Sequence, residues 1–421
     1  MFNYYLKLSW LSLKNTPVIS VLMVLAIAIG IGVSMTTLTI YHMMDANPIA
    51  HKSEQLFAIQ LQTEDESSDD DIPQQLTYQD AMLLRQSDIP TRHTPMYTSG
   101  FSVQTDNKDI DPFFESARLT DGVFFEMFDV QFIYGAVWDK RADEVGQNVA
   151  VISTTLNNKL FGGLDSVGKT VLFDGMPYIV SGVVEDFNPS PKFYDLNNGN
   201  FNNGEEVFIP FSLGPVHELV SWGNNNGWKN ETINSYQGKM GSEIMWIQYW
   251  VELPTVDQQQ QFQTFLDAHV KEQQKLGRFT RNDAAGYMSN VQQWLDQRQV
   301  VADDYSVLVG LSFMFLAVCL VNTIGLLLAK FLRRAAEVGV RRALGASQLE
   351  VFKQHLIEIS LIGFFGGLTG LLFTFAGLAG LRTINPNYEV IANLDVSMVL
   401  TVFVIAILSS VIAGLYPAYR I

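Results

Sequence analysis

The chain contains only one cysteine, Cys319, and six scattered histidines. A single cysteine excludes a disulfide within the chain and a cysteine-rich zinc site, and the sequence has no H-E-x-x-H pattern. The acidic run EDESSDDD, residues 64–71, lacks the ordered ligand spacing and the glycine of an EF-hand loop, so we interpret it as a solvated loop. The sequence therefore predicts no metal site.

Basic residues are also scarce: 27 Lys and Arg stand against 43 Asp and Glu, which gives a formal net charge of −16. The imbalance lies in residues 43–304, which contain 38 acidic and 17 basic residues. Binding to nucleic acid needs a basic face, so this composition excludes nucleic acid as a partner.

Apolar residues, in contrast, form long runs without charge, at Asn15–Tyr41, Tyr305–Ala329, Ile359–Leu381 and Val396–Tyr419. Each run exceeds the roughly 20 residues that cross the hydrocarbon of a bilayer. As core helices of a soluble protein they would have to share one unusually large core. We therefore predict four transmembrane helices, at 17–42, 305–331, 357–381 and 396–419. The first run is too long for a signal-peptide core and no A-x-A-like site follows it, which indicates a retained anchor.

The N-terminal segment, residues 1–16, places Phe2, Leu6, Trp10 and Leu13 near one helical face. This pattern predicts an interfacial helix in contact with membrane lipid. Lysines before the first span, and six basic against three acidic residues between Lys330 and Glu358, indicate that both segments are cytoplasmic. The acidic segment 43–304 is then outside the cell membrane, as is a short loop at 382–395.

The outer segment reads as a mixed α and β domain. EQLFAIQLQ and IMWIQYWVEL are typical of strands, whereas TYQDAMLLRQ and DQQQQFQTFLDAHVKEQQKLG are typical of helices. Between them, short strand-like runs and glycine turns predict a β-rich inserted lobe at about 111–240. The fold class is therefore a membrane protein with four transmembrane α-helices and a large α+β extracytoplasmic domain, two α/β halves with an insert, between the first and second helices.

The stretch GLDSVGKT, Gly163–Thr170, matches the phosphate-loop pattern G-x-x-x-x-G-K-[ST]. A phosphate loop follows a strand and opens a helix, because the helix N-terminus supplies free N–H groups. Here TTLNNKLF, a predicted helix, precedes the motif, and a predicted hairpin on the Asp174–Gly175 turn follows it. We therefore expect no nucleotide at this motif and no catalytic or cofactor-binding residue in the chain.

The loop at 332–356 contains the run RRAAEVGVRRALGASQLEVFKQHLIE. Ala336, Val340 and Leu344 recur at i, i+4, which predicts a short amphipathic helix that Gly345 ends. Ser347 followed by Glu350 forms a capping box, so a second helix is expected to begin there and to continue into the third span. The alternative is a basic loop that only fixes topology.

The motif EVGVRRALGA, Glu337–Ala346, resembles the E-I-G-[IL]-R-[RK]-A-[LI]-G-A signature of permeases in the FtsX/MacB superfamily of ABC transporters. LAIAIGIG in the first span, FFEMFDVQFIYGAVW and its sequel in the outer segment, and the closing GLYPAYR are also similar to MacB-type segments. The resemblance thus extends over nearly the whole chain.

The resemblance implies a permease half in the cell inner membrane that dimerises and recruits an ABC ATPase, which binds the ATP. MacB-type chains carry their ATPase at the N-terminus, and since 16 residues precede Pro17 here, we expect a separate ATPase subunit. The residues expected to couple to it are Glu337, Gly339, Val340, Arg341, Arg342, Ala343, Leu344 and Gly345. Further expected partners are a second permease, identical or related, and a periplasmic adaptor or outer-membrane protein.

Two functions remain open from the sequence. One is an export or extraction permease whose outer domains move a substrate out of the periplasm or inner membrane. The other is an FtsX-like regulator in which the same movement activates a periplasmic enzyme without transport. The large outer segment favours export. Gly363, Gly366, Gly367 and Gly370 in the third span are expected to pack that helix within its own subunit.

Overall fold

The computed structural model describes residues 2–65, 72–105, 110–345, 347–384 and 396–420. The chain divides into two compact units. We call Met1–Ala46 together with Val301–Ile421 the membrane unit, and Asn47–Val300 the outer domain. Most of the acidic run at 64–71 and most of the short loop at 382–395 lie outside the described residues, so both remain predictions.

The α-helices are α1 (Phe2–Asn15), α2 (Pro17–Met44), α3 (Tyr78–Leu84), α4 (Val123–Met127), α5 (Lys140–Val145), α6 (Thr154–Phe161), α7 (Leu213–His217), α8 (Tyr236–Met240), α9 (Val256–Lys275), α10 (Val291–Gln297), α11 (Asp303–Arg333), α12 (Ala335–Ala343), α13 (Gln348–Ile384) and α14 (Val396–Arg420). A 3-10 helix spans Phe193–Asn198.

The β-strands are β1 (Leu56–Gln62), β2 (Leu76–Thr77), β3 (Arg92–Gln104), β4 (Phe113–Thr120), β5 (Phe132–Gly135), β6 (Val149–Ser153), β7 (Thr170–Phe173), β8 (Met176–Val184), β9 (Val207–Pro210), β10 (Met245–Glu252) and β11 (Ala285–Asn290).

The membrane unit contains four helices that are long and apolar enough to cross a membrane: α2, α11, α13 and α14. They coincide with the four predicted spans. Helix α13 begins nine residues before the predicted start at 357, because its first turns belong to the loop between the spans. Helix α1 packs against α13 with Ser9 and Ser12 buried, while Leu6, Trp10 and Leu11 are exposed.

The outer domain is built on a sheet with the strand order β11-β1-β10-β3-β4-β9-β6-β8-β5. Strand β1 is buried along its whole length, and its residues alternate between two apolar clusters: Phe57 and Ile59 belong to one, Leu56 and Ala58 to the other. Successive strand residues point to opposite faces, so the sheet has a core on each face. The burial extends to the two glutamines of the strand, Gln60 and Gln62.

The insert predicted at about 111–240 supplies strands β4 to β9 of this same sheet. The long strand β3 connects them to the remainder of the domain, since it pairs with β10 near its start and with β4 and β7 near its end. The insert is therefore continuous with the flanking segments through one shared strand.

The phosphate-loop-like stretch lies between a helix and a hairpin. Helix α6 ends at Gly162, which adopts a left-handed conformation, and Thr170 begins β7. Asp174 and Gly175 both have positive φ in the turn from β7 to β8. The predicted order of elements is confirmed, and Lys169 leads into a strand rather than into a helix.

Candidate functional site

Helix α12 follows α11 directly, with Arg334 between them, and ends at a glycine. Gly345 has a φ of +102°, and its N–H donates to the carbonyl of Arg342 at 3.1 Å. A residue with a Cβ rarely adopts this φ, so glycine is the residue that allows the chain to leave the helix and turn back. The predicted stop at Gly345 is confirmed.

The next helix is capped as the sequence indicates. The Ser347 hydroxyl accepts the N–H of Glu350 at 3.3 Å, and the Glu350 carboxylate accepts the N–H of Ser347 at 3.1 Å. This reciprocal pair is a capping box, which satisfies two N–H groups that the helix itself leaves open. Helix α13 therefore starts at a defined point three residues beyond Gly345.

The apolar stripe of α12 is uncovered in the membrane unit. Ala336, Val340 and Leu344 are all exposed, and the exposed fraction is 61% for Val340 and 84% for Leu344. A Cβ at Gly339 would meet nothing within 4 Å. The small size of Gly339 thus serves no packing contact with the described residues, while it leaves room for a second surface to approach.

A cavity of about 440 Å³ lies between α12, the start of α13 and the end of α14. We call it the loop groove; its lining residues are Arg342, Gln348, Leu349, Val351, Phe352, Ala418 and Tyr419. They come from α12, from the start of α13 and from the end of α14, so residues about 70 positions apart in the chain form one concave surface. The groove is mainly apolar, and Arg342 contributes one guanidinium to its lining.

Six of the eight predicted coupling residues can be placed completely. Gly339, Val340, Arg342 and Ala343 are exposed on α12, while Leu344 and Gly345 form its exposed end. The structure describes only the backbone of Glu337 and Arg341 within α12, and Ala346 lies outside the described residues.

Sequence reasoning missed a buried polar cluster beside this surface. Lys330 Nζ lies 2.6 Å from Glu358 Oε1, and both side chains are fully buried. The Ser12 hydroxyl of α1 donates to the same carboxylate oxygen. A signal was available: Lys330 directly follows one charge-free run and Glu358 directly precedes the next, so two antiparallel spans place the two residues at the same level.

A second cavity, of about 780 Å³, lies in the outer domain, with Arg85, Phe125, Asp121, Trp138 and Asp143 in its wall. Arg85 Nη2 donates to Asp121 Oδ1 at 2.7 Å. Burial raises the pKa of Asp121 to about 7 against the effect of the Arg85 cation, and the Asp143 carboxylate adds to the rise. The Asp121 carboxyl is therefore partly protonated near neutral pH.

Two family models match the chain. The model of the MacB-like periplasmic core domain matches residues 20–267, and the model of the FtsX-like permease C-terminal matches residues 309–421. The crystal structure of the periplasmic region of MacB from Actinobacillus actinomycetemcomitans covers 58% of this chain and 92% of its own, with 14% identity and a TM-score of 0.37.

Curated relatives are similar at low identity. The chain is 21% identical over 298 residues to the pyoverdine export ATP-binding/permease protein PvdT of Pseudomonas aeruginosa. It is 23% identical over 354 residues to the macrolide export ATP-binding/permease protein MacB of Salmonella paratyphi A. The matches cover 70% and 83% of this chain but 39% and 48% of the relatives, so the chain spans less than half of their length. Since the core-domain model alone matches more than half of the chain, the chain belongs to the MacB/FtsX family of ABC transporter permeases.

Proposed function

We propose that the chain is the permease subunit of a MacB-like ABC transporter, which couples ATP hydrolysis by a separate ATPase subunit to motion of its outer domain. This motion drives export or extraction of a substrate from the periplasm or the inner membrane. The subunit itself is non-catalytic, works as a homodimer or heterodimer in the cell inner membrane, and presents the 332–356 loop to the cytoplasm. A periplasmic adaptor or outer-membrane protein would receive the substrate.

The observation that carries this proposal is the uncovered apolar stripe of α12. An amphipathic helix that exposes its apolar face fits helix-in-groove recognition by a partner protein. Leu344 is the most exposed member of the stripe, with 84% of its surface accessible, so a partner that bound α12 would bury apolar area there. The exposed Arg342 guanidinium, which lines the loop groove, can pair with carboxylates of the partner.

Two further observations support a permease subunit that works with a separate ATPase subunit. The one phosphate-loop pattern in the sequence has the wrong order of helix and strand, which favours an ATPase site outside the described residues of this chain. The relatives bear names of exporters, and their names combine an ATP-binding part with a permease part. The MacB-like core domain favours export over regulation of a periplasmic enzyme, although both would use the same coupling surface.

The first test replaces Leu344 by Asp. A charge in the centre of an apolar interface is expected to weaken binding by at least about 2 kcal/mol, roughly thirtyfold. The tagged full chain is purified from its native membrane, labelled with 8-azido-ATP, and assayed for ATP turnover in nanodiscs. We expect the wild type to co-purify with a labelled second polypeptide, and Leu344→Asp to lose both that polypeptide and the turnover.

Leu164→Asp is the matched control, because Leu164 is a similarly exposed leucine, 68% accessible, in the outer domain. It should retain the labelled partner. Label on the permease chain itself would contradict a separate ATPase. Full turnover in Leu344→Asp would show that the loop does not bind the ATPase and only fixes the orientation of the membrane helices.

A further inference from the structure

The buried cluster in the membrane unit connects three helices that lie far apart in the sequence. Lys330 is at the end of α11, Glu358 is in α13, and the ion pair between them, at 2.6 Å, is inaccessible to solvent. Lys330 Nζ also lies 3.4 Å from the hydroxyl of Ser20 in α2. Removing two charges from water is costly, and their attraction offsets this cost only at close range, so the geometry of these helices is constrained around the pair.

Ser12 is the residue that brings the N-terminal helix into this cluster. Its hydroxyl donates to Glu358 Oε1 and accepts from Arg334 Nη1, and its carbonyl accepts from Arg334 Nη2 at 3.4 Å. Arg334 is the single residue between α11 and α12. Ser12 therefore links Arg334, which directly precedes α12, to α13, the helix that follows the loop.

The cluster is closed on its other side by an aromatic contact. The rings of Phe331 and His355 have centroids 4.2 Å apart, and both residues are buried. His355 Nδ1 lies 3.9 Å from Glu358 Oε2, and neither atom has a hydrogen-bond partner among the described residues. Lys330 and Ser12 thus hold the carboxylate through Oε1, while His355 faces Oε2 at 3.9 Å.

We propose that Ser12, Lys330, Arg334 and Glu358 form a positioning latch, through which the N-terminal helix α1 fixes the starting point of α12 relative to α11 and α13. The inference rests on the proposed function, since it assigns to the latch the transmission of force from α12 to the two helices that flank it. When the contacts of the latch are lost, the surface of α12 still binds its partner, but α12 tilts without moving α11 or α13. The four residues are positioning residues and contact no nucleotide or substrate.

Ser12→Ala tests the latch with the smallest change, and Ser9→Ala is its matched control. Ser9 is also buried on α1, one turn earlier, but among the described residues its hydroxyl bonds only the Gln354 carbonyl, at 3.5 Å. In nanodiscs we expect Ser12→Ala to keep a normal amount of bound ATPase and a normal KM for ATP, while the kcat of stimulated turnover falls on the order of tenfold, the effect of losing charge-assisted hydrogen bonds. Ser9→Ala should match the wild type, and Ser12→Thr, which keeps the hydroxyl, should restore turnover.

A second measurement does not depend on the ATPase. Cleavage by trypsin after Lys14, at the end of α1, requires local opening of that helix. We expect Ser12→Ala to be cut several-fold faster at Lys14 than Ser9→Ala. The double variant Lys330→Met with Glu358→Leu removes both charges together, which avoids an unpaired buried charge and should keep the fold. We expect this double variant to bind a normal amount of ATPase and to lose kcat to the same extent as Ser12→Ala.

The outcomes separate the two proposals. If the wild type recruits no ATPase, the proposed function fails, and the rate of cleavage at Lys14 still decides whether the latch exists. If ATPase binds normally and Ser12→Ala and the double variant both turn over like the wild type, the latch is overturned while the proposed function stands. Equal cleavage of Ser12→Ala and Ser9→Ala also overturns it.

Discussion

Asp121 and Glu205 are both buried carboxyl groups of the outer domain, and their pKa values move in opposite directions. Burial alone would raise the pKa of Glu205, but the Arg118 and Lys192 cations lower it to about 2. Lys192 Nζ lies 2.7 Å from Glu205 Oε1, and Arg118 bonds the same oxygen. Among the described residues the Asp121 carboxylate bonds only Arg85, so burial dominates and its pKa rises to about 7. The number of cationic donors thus decides the charge state of each group.

This difference predicts a pH dependence for Asp121. A carboxyl whose folded pKa is raised stabilises the fold below its unfolded value of 3.8, and this stability is lost as the pH rises toward 7. Between pH 5 and pH 8 the wild type should therefore lose about 2–3 kcal/mol of stability relative to Asp121→Asn. Thermal unfolding followed by tryptophan fluorescence measures this, because six of the seven tryptophans lie in the outer domain.

From pH 5 to pH 8 the melting temperature of the wild type should fall by about 5–10 °C relative to that of Asp121→Asn. Asp267→Asn, at an exposed site on α9, is the control and should show no such change. A difference between wild type and Asp121→Asn that stays constant from pH 5 to pH 8 would exclude the titration of Asp121.

Helix α13 shows how single glycines position whole elements. A Cβ at Gly367 would lie 2.8 Å from Ala406 Cβ of α14, and one at Gly370 would lie 2.9 Å from Ile31 Cγ2 of α2. Gly363 likewise faces Ser410 of α14, and Gly366 faces Ile27 of α2. The G-x-x-x-G pairs therefore pack α13 against two neighbours of its own subunit, as expected from the sequence. Small residues here allow close approach of three backbones.

Gly367→Leu should consequently damage folding more than association. Inserting a leucine into this contact is expected to destabilise the membrane unit by about 1–3 kcal/mol or more, because α13 and α14 have to separate. The measurement compares the yield of membrane-inserted protein with the fraction of folded protein that crosslinks as a dimer. Gly380→Leu is the control on the same helix, since a Cβ there meets nothing within 4 Å. Normal yield with loss of the dimer would show that Gly367 lies in a subunit interface.

At the scale of the whole molecule, the two units have separate apolar cores. Both clusters on the faces of the sheet consist of residues from the outer domain alone, whereas the third cluster contains only residues of the membrane unit. A domain of this length buries enough surface to be stable without the spans. The lack of cysteine in residues 47–300 means that this stability does not depend on disulfides.

Residues 47–300 expressed alone should therefore fold as a soluble domain that unfolds cooperatively. Circular dichroism and size-exclusion chromatography measure this outcome. Residues 111–240 expressed alone should fail, because they lack β3, which pairs with both β4 and β7. Aggregation of 47–300, or a stable fold of 111–240, would contradict the shared-strand arrangement.

Features encoded by neighbouring residues were predictable from the sequence. The four spans follow from hydropathy, the end of α12 from Gly345, and the start of α13 from Ser347 and Glu350, because each signal acts within one or two helical turns. The same local reasoning predicted the order of helix, loop and hairpin around Gly163–Thr170.

Contacts between distant residues were decided only by the tertiary structure. The sequence alone did not link Ser12 to Glu358, which is 346 positions away, or show that β3 carries the insert. It also did not indicate that the end of α14 helps to line the loop groove. The physical reason is that hydropathy and capping depend on a few adjacent residues, whereas a buried bond depends on how helices and strands pack, and many packings satisfy the same local pattern.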